Sequence, residues 1–204
     1  MGYVISIVMG YLLGCSNMAM YIAKLKNIDL RGKGSGNPGT SNAVIVMGWG
    51  AGLSVAIHDI GKGILTVLLA RLLFPGLYGI GEVAGISCVL GHIFPFYLKF
   101  KGGKGFASYV GMTLALNWKF ALIVIVAVAA VTLITDYLVL GTFTAVVAVP
   151  VYVGIVNHSW VLAVILLVGT AVICVRHREN IIRIVKGTEI GLRSSLRGEH
   201  RVKQ

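Results

Sequence analysis

Charged side chains are scarce in this chain of 204 residues: 12% are Asp, Glu, Lys or Arg, while 57% are apolar. The mean hydropathy is +0.88. A water-soluble domain carries roughly 25% charged residues, so this chain lacks the side chains that would cover a surface facing water. Apolar runs long enough to cross about 30 Å of hydrocarbon recur along the sequence. The sequence therefore predicts one all-α, polytopic membrane domain over residues 1–204 and excludes a soluble domain.

Cysteine is also rare, and its three positions, Cys15, Cys88 and Cys174, each lie in a different apolar run. Their number is odd and none has metal-ligand spacing, so we predict neither a disulfide framework nor a metal site. We expect free, buried thiols. Residues 1–23 contain no Lys or Arg, whereas a secretory signal needs positive charge before its apolar stretch.

Seven apolar segments are candidate membrane spans. The fourth is short for a full span, so a half-helix or a helix tilted against its neighbour is the alternative there. A version with five full spans, in which segments four to six merge or re-enter, is the alternative. The segments cover about 2–23, 50–73, 80–98, 105–117, 119–135, 137–156 and 160–176.

The basic residues are unevenly distributed along the chain. The first of them, Lys24, follows the first apolar segment, which places the N-terminus outside and the next loop in the cytoplasm. With that orientation, 15 of the 18 Lys and Arg lie on the cytoplasmic side, as does the C-terminus. They occur in the loops 24–49 and 99–105, the stretch 176–190 and the basic tail 191–204. The net charge of +11 is thus an orientation signal that also attracts anionic lipids, and we expect no nucleic-acid binding.

A glycine-rich segment, RGKGSGNPGTSN at Arg31–Asn42, lies between two apolar runs; we call it the first motif loop. Glycine lets backbone N–H groups approach an anion closely, and Lys, Ser and Thr side chains add donors. The pattern predicts a phosphate-binding loop, with a flexible interhelical loop as the alternative.

The second motif runs from Gly91 to Gly105, with the sequence GHIFPFYLKFKGGKG. Its glycine pair beside Lys104, at the start of a predicted helix, offers free amides, a positive helix end and an ammonium group to an anion. It is not a Walker A loop, because Leu98 stands where that pattern requires glycine.

The third motif, RHRENIIR at Arg176–Arg183, leaves the last apolar segment and is followed by Gly187 and Glu189. On a helix, His177 and Asn180 share a face, which makes a surface for substrate. A basic helix beside a membrane also serves simply as an anchor. All three motifs fall on the cytoplasmic side in our assignment, so the sequence indicates one site at the inner membrane face.

Ionisable residues also occur within a predicted span, at His58, Asp59 and Lys62. Asp59 and Lys62 are three residues apart and therefore able to pair on one helix face. An ion pair that packs helices and a functional role both fit this pattern.

Together, the three motifs resemble the bacterial membrane acyl-phosphate:glycerol-3-phosphate acyltransferase family. The resemblance covers nearly the whole chain, with the motifs in the same order and at the same spacing. It implies transfer of a fatty acyl group from acyl-phosphate to the 1-hydroxyl of glycerol 3-phosphate, giving lysophosphatidic acid and phosphate. It also implies a multi-pass protein of the bacterial inner membrane that needs no metal or organic cofactor. The implied partners are glycerol 3-phosphate, acyl-phosphate, membrane lipids and a soluble enzyme that makes acyl-phosphate.

The resemblance also assigns roles to residues that match the family motifs. The implied catalytic residues are Lys104, His177 and Asn180. The implied substrate- and phosphate-binding residues are Ser35, Gly36, Asn37, Gly39, Thr40, Ser41, Asn42, His92, Gly102 and Gly103.

Two positions depart from the family pattern. Ile45 stands where the family usually has Arg, and Val139 where it usually has Ser; Lys33 and Thr142 are the substitutes that we consider. These departures leave a divergent, non-catalytic protein as one alternative, and a small-solute or phosphate transporter is another. No His is followed five residues later by Asp, as acyl-CoA-type glycerolipid acyltransferases need. The seven acidic residues also do not form the paired-Asp site of alcohol phosphotransferases.

Overall fold

The computed structural model describes residues 1–197, which belong to two compact units, one covering Met1–Asn117 and the other beginning at Trp118. Every regular element in that described range is helical. The part of the predicted basic tail that contains Arg201 and Lys203 lies outside the described residues.

The helices of the first unit are α1 (Gly2–Cys15), α2 (Met18–Leu25), α3 (Thr40–Met47), α4 (Trp49–Leu73), α5 (Ile80–Ile93) and α6 (Phe106–Leu116), with a 3₁₀ turn at Phe96–Leu98. Those of the second unit are α7 (Trp118–Thr135), α8 (Leu138–Val156), α9 (Trp160–Arg176), α10 (Arg178–Val185) and α11 (Leu192–Arg197).

Within the described residues, five stretches are long and apolar enough to cross a membrane, and α9 reaches that length only together with α10, at a bend of 44°, so the count is five or six. The structure therefore lowers the predicted number of seven spans. The fourth predicted segment is α6, whose 11 residues reach only about 16 Å and are too short for the hydrocarbon core. Segments five and six do not merge, because α7 and α8 each qualify alone. The five stretches are Gly2–Leu25, Trp49–Leu73, Ile80–Leu98, Trp118–Thr135 and Leu138–Val156.

The first predicted segment is broken between α1 and α2. The side chain of Asn17, which is 2% exposed, accepts a hydrogen bond of 2.9 Å from the backbone N–H of Met20 and so caps α2. An asparagine at this position favours a new helix start over continuation of the old one. The apolar run therefore contains a helix terminus in its interior, next to Ser16.

Glycines set the helix spacing in the first unit. A Cβ atom on Gly14 of α1 would collide with the backbone of Cys88 in α5, and one on Gly111 of α6 would collide with the backbone of Ile60 in α4. Small residues let membrane helices approach this closely. The two close pairs are α1 with α5 and α4 with α6, and the second motif connects the end of α5 to the start of α6.

In the second unit, the turn between α7 and α8 holds the start of α11. Asp136 accepts backbone hydrogen bonds of 2.8 Å at its side chain from Arg193 and at its carbonyl from Leu192. The three cysteines are free, as predicted. Cys15 and Cys88 are buried, whereas Cys174 is only half-buried, so the expectation of burial is wrong for that residue.

Candidate active site

Asn42 holds the first motif loop in a defined shape. Its side chain, fully buried in the first turn of α3, accepts a hydrogen bond from the N–H of Ser35 at 2.8 Å. It donates to the carbonyl oxygens of Leu30 at 3.0 Å and Lys33 at 3.2 Å. The amide of Asn42 is therefore engaged with the loop backbone at three points, which favours a defined loop conformation over the flexible alternative.

Glycine is required where this loop turns. Gly34 has a φ of +58° and a Cβ there would collide with the side-chain oxygen of Asn42. Gly36 has a φ of +67° and lies close to the carbonyl of Arg31. Both backbone conformations favour glycine over any other residue. The compact turn leaves the side chain of Ser35 exposed.

The loop leads into α3, which begins at Thr40 with Gly39 as its N-cap residue. Among the described residues, no side chain caps this helix start, so its first-turn N–H groups are available to an anion. Ser41 is exposed at the same turn, and Thr40 is half-buried. Asn37, also half-buried, lies directly before this helix start.

The first and second motifs meet in the first unit. The guanidinium group of Arg31 donates a hydrogen bond of 2.6 Å to the backbone carbonyl of Lys101. This contact joins the beginning of the first motif loop to the glycine element that ends at Gly105. Two of the three predicted motifs thus lie side by side.

The glycine pair of the second motif differs from the sequence expectation. The N–H of Gly102 donates to the carbonyl of Ile93 at 2.9 Å, and that of Gly103 donates to the carbonyl of His92 at 3.2 Å. These amides satisfy the C-terminal carbonyls of α5, so the prediction that they are free for an anion is wrong. Lys104 follows them, half-buried at the junction with α6, whose N-cap residue is Gly105.

His92, predicted to bind phosphate, is buried beneath this element. A Cβ on Gly103 would collide with its ring, and its Nδ1 lies 2.8 Å from the Nζ of Lys62. The predicted pairing of Lys62 with Asp59 is confirmed, at 2.8 Å. His58 also contacts Asp59, at 3.2 Å. The ring of His92 therefore belongs to a buried cluster and supports the glycine element from below.

His177 of the third motif occupies the bend between α9 and α10. Its Nδ1 lies 2.9 Å from the carbonyl oxygen of Ile173. Because a carbonyl can only accept, Nδ1 carries a proton, and Nε2 is the basic nitrogen of the neutral ring. The ring of Phe143 packs edge-on against it, with 6.1 Å between centroids. The tautomer and the orientation of the imidazole are both set by these neighbours.

Asn180 lies one turn further, buried in α10. Its side-chain amide donates to one carboxylate oxygen of Glu189, whose other oxygen accepts from Arg183 at 2.6 Å. Glu189 was noted in the sequence only as part of the motif. The structure gives it a definite task, which is to hold Asn180 in place.

The two departures from the family pattern also have defined surroundings. Ile45 is half-buried in α3, and Val139 is buried near the start of α8. The hydroxyl of Thr142 donates to the carbonyl of Leu138 at 3.2 Å, which argues against it as a replacement donor. Lys33 is exposed in the first motif loop, where a cation can still reach an anion.

These features define a class: a helical integral membrane protein whose helix starts and basic side chains suit anionic ligands. Among residues 1–197, no group of three or more His, Cys, Asp and Glu side chains is arranged to hold a metal ion, so we assign no metal ligands.

Comparison with known proteins identifies the family. The sequence model described as "Glycerol-3-phosphate acyltransferase" matches residues 4–187. A glycerol-3-phosphate acyltransferase of Coxiella burnetii (strain CbuG_Q212) is 39% identical over 93% of this chain and 97% of its own length. One from Thermoanaerobacter sp. (strain X514) is 36% identical over 91% of this chain and 93% of its own. The chain belongs to the glycerol-3-phosphate acyltransferase family.

A solved structure has the same fold. The crystal structure of PlsY (YgiH), an integral membrane glycerol 3-phosphate acyltransferase, in its glycerol 3-phosphate form, is similar with a TM-score of 0.87. The two chains are 32% identical, and the match covers 94% of this chain and 96% of the other. The high coverage shows that the helical architecture extends over nearly the whole sequence.

Proposed function

We propose that this protein transfers a fatty acyl group from acyl-phosphate to the 1-hydroxyl of glycerol 3-phosphate, in the bacterial inner membrane. The products are lysophosphatidic acid and inorganic phosphate. The observation that carries the proposal is the family match over residues 4–187, which includes all three motifs. The likeness to a glycerol 3-phosphate form of a solved relative supports the same acceptor.

The first motif loop is proposed to bind substrate phosphate. The uncapped start of α3 supplies N–H groups and the positive end of a helix dipole, which together favour a dianion. Ser35 and Ser41 add exposed hydroxyl donors. Lys33, exposed in the same loop, supplies the positive charge that Ile45 does not.

The reaction needs positioning more than covalent catalysis. The 1-hydroxyl oxygen attacks the acyl carbonyl carbon and forms a C–O bond, and the tetrahedral intermediate then collapses as the bond between that carbon and the phosphate oxygen breaks. Phosphate leaves readily from this mixed anhydride, so no acyl-enzyme is required. Holding two anionic substrates in line supplies much of the acceleration.

We assign Lys104 to stabilise the oxyanion or the leaving phosphate, because preorganised positive charge is most effective where negative charge develops. The hydroxyl proton passes to Nε2 of His177 or to a substrate phosphate oxygen. Asn180, held by Glu189, is assigned to substrate binding through its amide. Residues 1–204 act as one acyltransferase domain on this proposal.

The donor also implies a supplier. An acyl-phosphate is a hydrolysable anhydride, so a soluble enzyme that makes it close to the membrane is the proposed partner. The apolar acyl chain of the donor enters from the lipid phase, whereas glycerol 3-phosphate is water-soluble and enters from the cytoplasm.

The donor is tested by incubating purified protein with glycerol 3-phosphate and either palmitoyl-phosphate or palmitoyl-CoA, with and without a chelator. We expect lysophosphatidic acid from palmitoyl-phosphate only, at a rate that the chelator does not change. Robust turnover of palmitoyl-CoA, or loss of activity on chelation, would contradict the proposal.

A further inference from the structure

Three ionisable side chains are buried together in the first unit: Asp59 and Lys62 of α4 and His92 of α5, which are 2%, 6% and 4% exposed. The Nζ of Lys62 lies 2.8 Å from Asp59 and 2.8 Å from Nδ1 of His92. An ammonium group only donates, so Nδ1 of His92 accepts from it. Buried ion pairs add little net stability over apolar side chains of similar size. The role of this cluster is therefore better judged from its contacts with the first two motifs than from its contribution to stability.

One connection leads to the first motif loop. The Nζ of Lys62 also donates to the carbonyl of Ser16 at 2.7 Å, at the break between α1 and α2. The neighbouring side chain, Asn17, donates to the carbonyl of Pro38 at 3.2 Å. Pro38 is part of the first motif loop and is buried. Lys62 thus fixes the helix break that holds this loop.

The other connection leads to the second motif. The carbonyl of His92 accepts the N–H of Gly103 at 3.2 Å, and a Cβ on Gly103 would collide with the imidazole ring. The ring therefore packs directly against Gly103, the residue before Lys104. Lys62 holds the ring from its opposite edge, through Nδ1.

We propose that Lys62 is a positioning residue that ties both motifs to one buried point, with Asp59 as its counter-ion. The inference rests on the proposed function, in which the first motif loop and Lys104 bind the substrates. On this account the cluster sets the distance between the two binding elements. A cluster that merely packed α4 against α5 would stabilise the fold without affecting substrate binding.

The test separates positioning from stability with two variants of the full-length protein, in which uncharged side chains replace Lys62 alone or Lys62 and Asp59 together. Lys62→Met removes the buried cation beside Asp59, which keeps His58 at 3.2 Å and His92 at 3.5 Å, and is expected to lower the melting temperature. Asp59→Asn combined with Lys62→Met removes both charges and is expected to restore that temperature. We expect kcat/KM for glycerol 3-phosphate to stay roughly tenfold to a hundredfold low in the double variant, because small misplacements of binding groups are costly. Most of the loss should lie in KM.

Three further measurements make the result decisive. In a Lys104→Ala background, the same double substitution should lower kcat/KM by a smaller factor, because the part of the loss that acts through Lys104 is already absent. Amide hydrogen exchange over residues 31–42 and 101–105 should accelerate in the double variant, whatever the activity. Ser87→Ala is the matched control: this hydroxyl in α5 donates to the carbonyl of Val83, in the preceding turn of the same helix, at 2.8 Å, so exchange and kinetics should both stay unchanged.

A variant of Asn17 tests the connection to the first motif loop alone. Asn17→Ser keeps a side chain that caps α2 but removes the amide that donates to Pro38. We expect a severalfold higher KM for glycerol 3-phosphate with little change in melting temperature.

The inference is overturned if the double variant recovers both stability and kcat/KM, if exchange at both motifs stays native, or if Asn17→Ser leaves KM unchanged. Inactivity of the unsubstituted protein toward glycerol 3-phosphate would instead overturn the proposed function, and hydrogen exchange would still decide whether Lys62 orders the two motifs.

Discussion

Replacing Asn42 by alanine should weaken binding of glycerol 3-phosphate without unfolding the protein. The side chain makes three hydrogen bonds to the loop backbone, at 2.8, 3.0 and 3.2 Å, and it is fully buried. A net value of about 1 kcal/mol for each bond gives about 3 kcal/mol of lost stabilisation for the ordered loop. That difference corresponds to roughly a hundredfold change in an equilibrium constant.

The effect should appear mainly in KM for glycerol 3-phosphate, because the loop must then be ordered at the expense of binding energy. Asn42→Asp keeps the acceptor for the Ser35 N–H but sets a buried carboxylate oxygen against the carbonyls of Leu30 and Lys33, so its loss should be at least as large as that of alanine. Limited proteolysis within residues 31–42 should accelerate in the same order. Acylation measured across a range of glycerol 3-phosphate concentrations gives KM and kcat separately.

The matched control is Asn157→Ala, an exposed asparagine at the end of α8, which should leave KM and proteolysis unchanged. A native KM in Asn42→Ala, with native resistance of the loop to protease, would refute the reasoning, because the loop would then hold its shape without this side chain.

Three other predictions concern charge and orientation. Lys104→Ala should lower kcat/KM by about tenfold to several hundredfold, since hydrogen bonds to charged groups are worth roughly 1.5–3 kcal/mol. Lys99→Ala should lower kcat/KM far less, and equal losses of kcat/KM in the two variants would contradict contact between Lys104 and a substrate. Glu189→Gln removes the charge that orders Asn180 and should lower kcat roughly tenfold, so a native kcat in the purified variant would show that this brace is dispensable. Cysteine labelling in intact cells should report the first motif loop and the Lys99–Lys104 region as cytoplasmic and the 74–79 loop as external, and external labelling of either motif would contradict our orientation.

The helical architecture was predictable because hydrophobic run length alone decides most of it. The spacing of Asp59 and Lys62 likewise predicted their pairing, since residues three apart share a helix face. The third member of that cluster, His92, was not predictable, because it lies 30 positions after Lys62 in the sequence. Only the packing of α4 against α5 brings it there.

Two expectations failed for local physical reasons. The amides of Gly102 and Gly103 looked available for an anion, but the carbonyls at the end of α5 take them first. The count of seven spans failed as well, because the fourth segment is as short as its apolar run suggested: Asn117 ends α6 after 11 residues. The break between α1 and α2 was not predicted, although the sequence contains a signal for it: Asn17, within an otherwise apolar run, is a residue that favours a helix start.

The central claim is that this protein itself joins an acyl group to glycerol 3-phosphate. The direct measurement incubates the purified, unsubstituted protein with palmitoyl-phosphate and labelled glycerol 3-phosphate, and follows 1-acyl lysophosphatidic acid and inorganic phosphate together. We predict that the two products appear in a one-to-one ratio and that both depend on glycerol 3-phosphate. Phosphate release without lysophosphatidic acid, or no turnover in a folded preparation, would contradict the account.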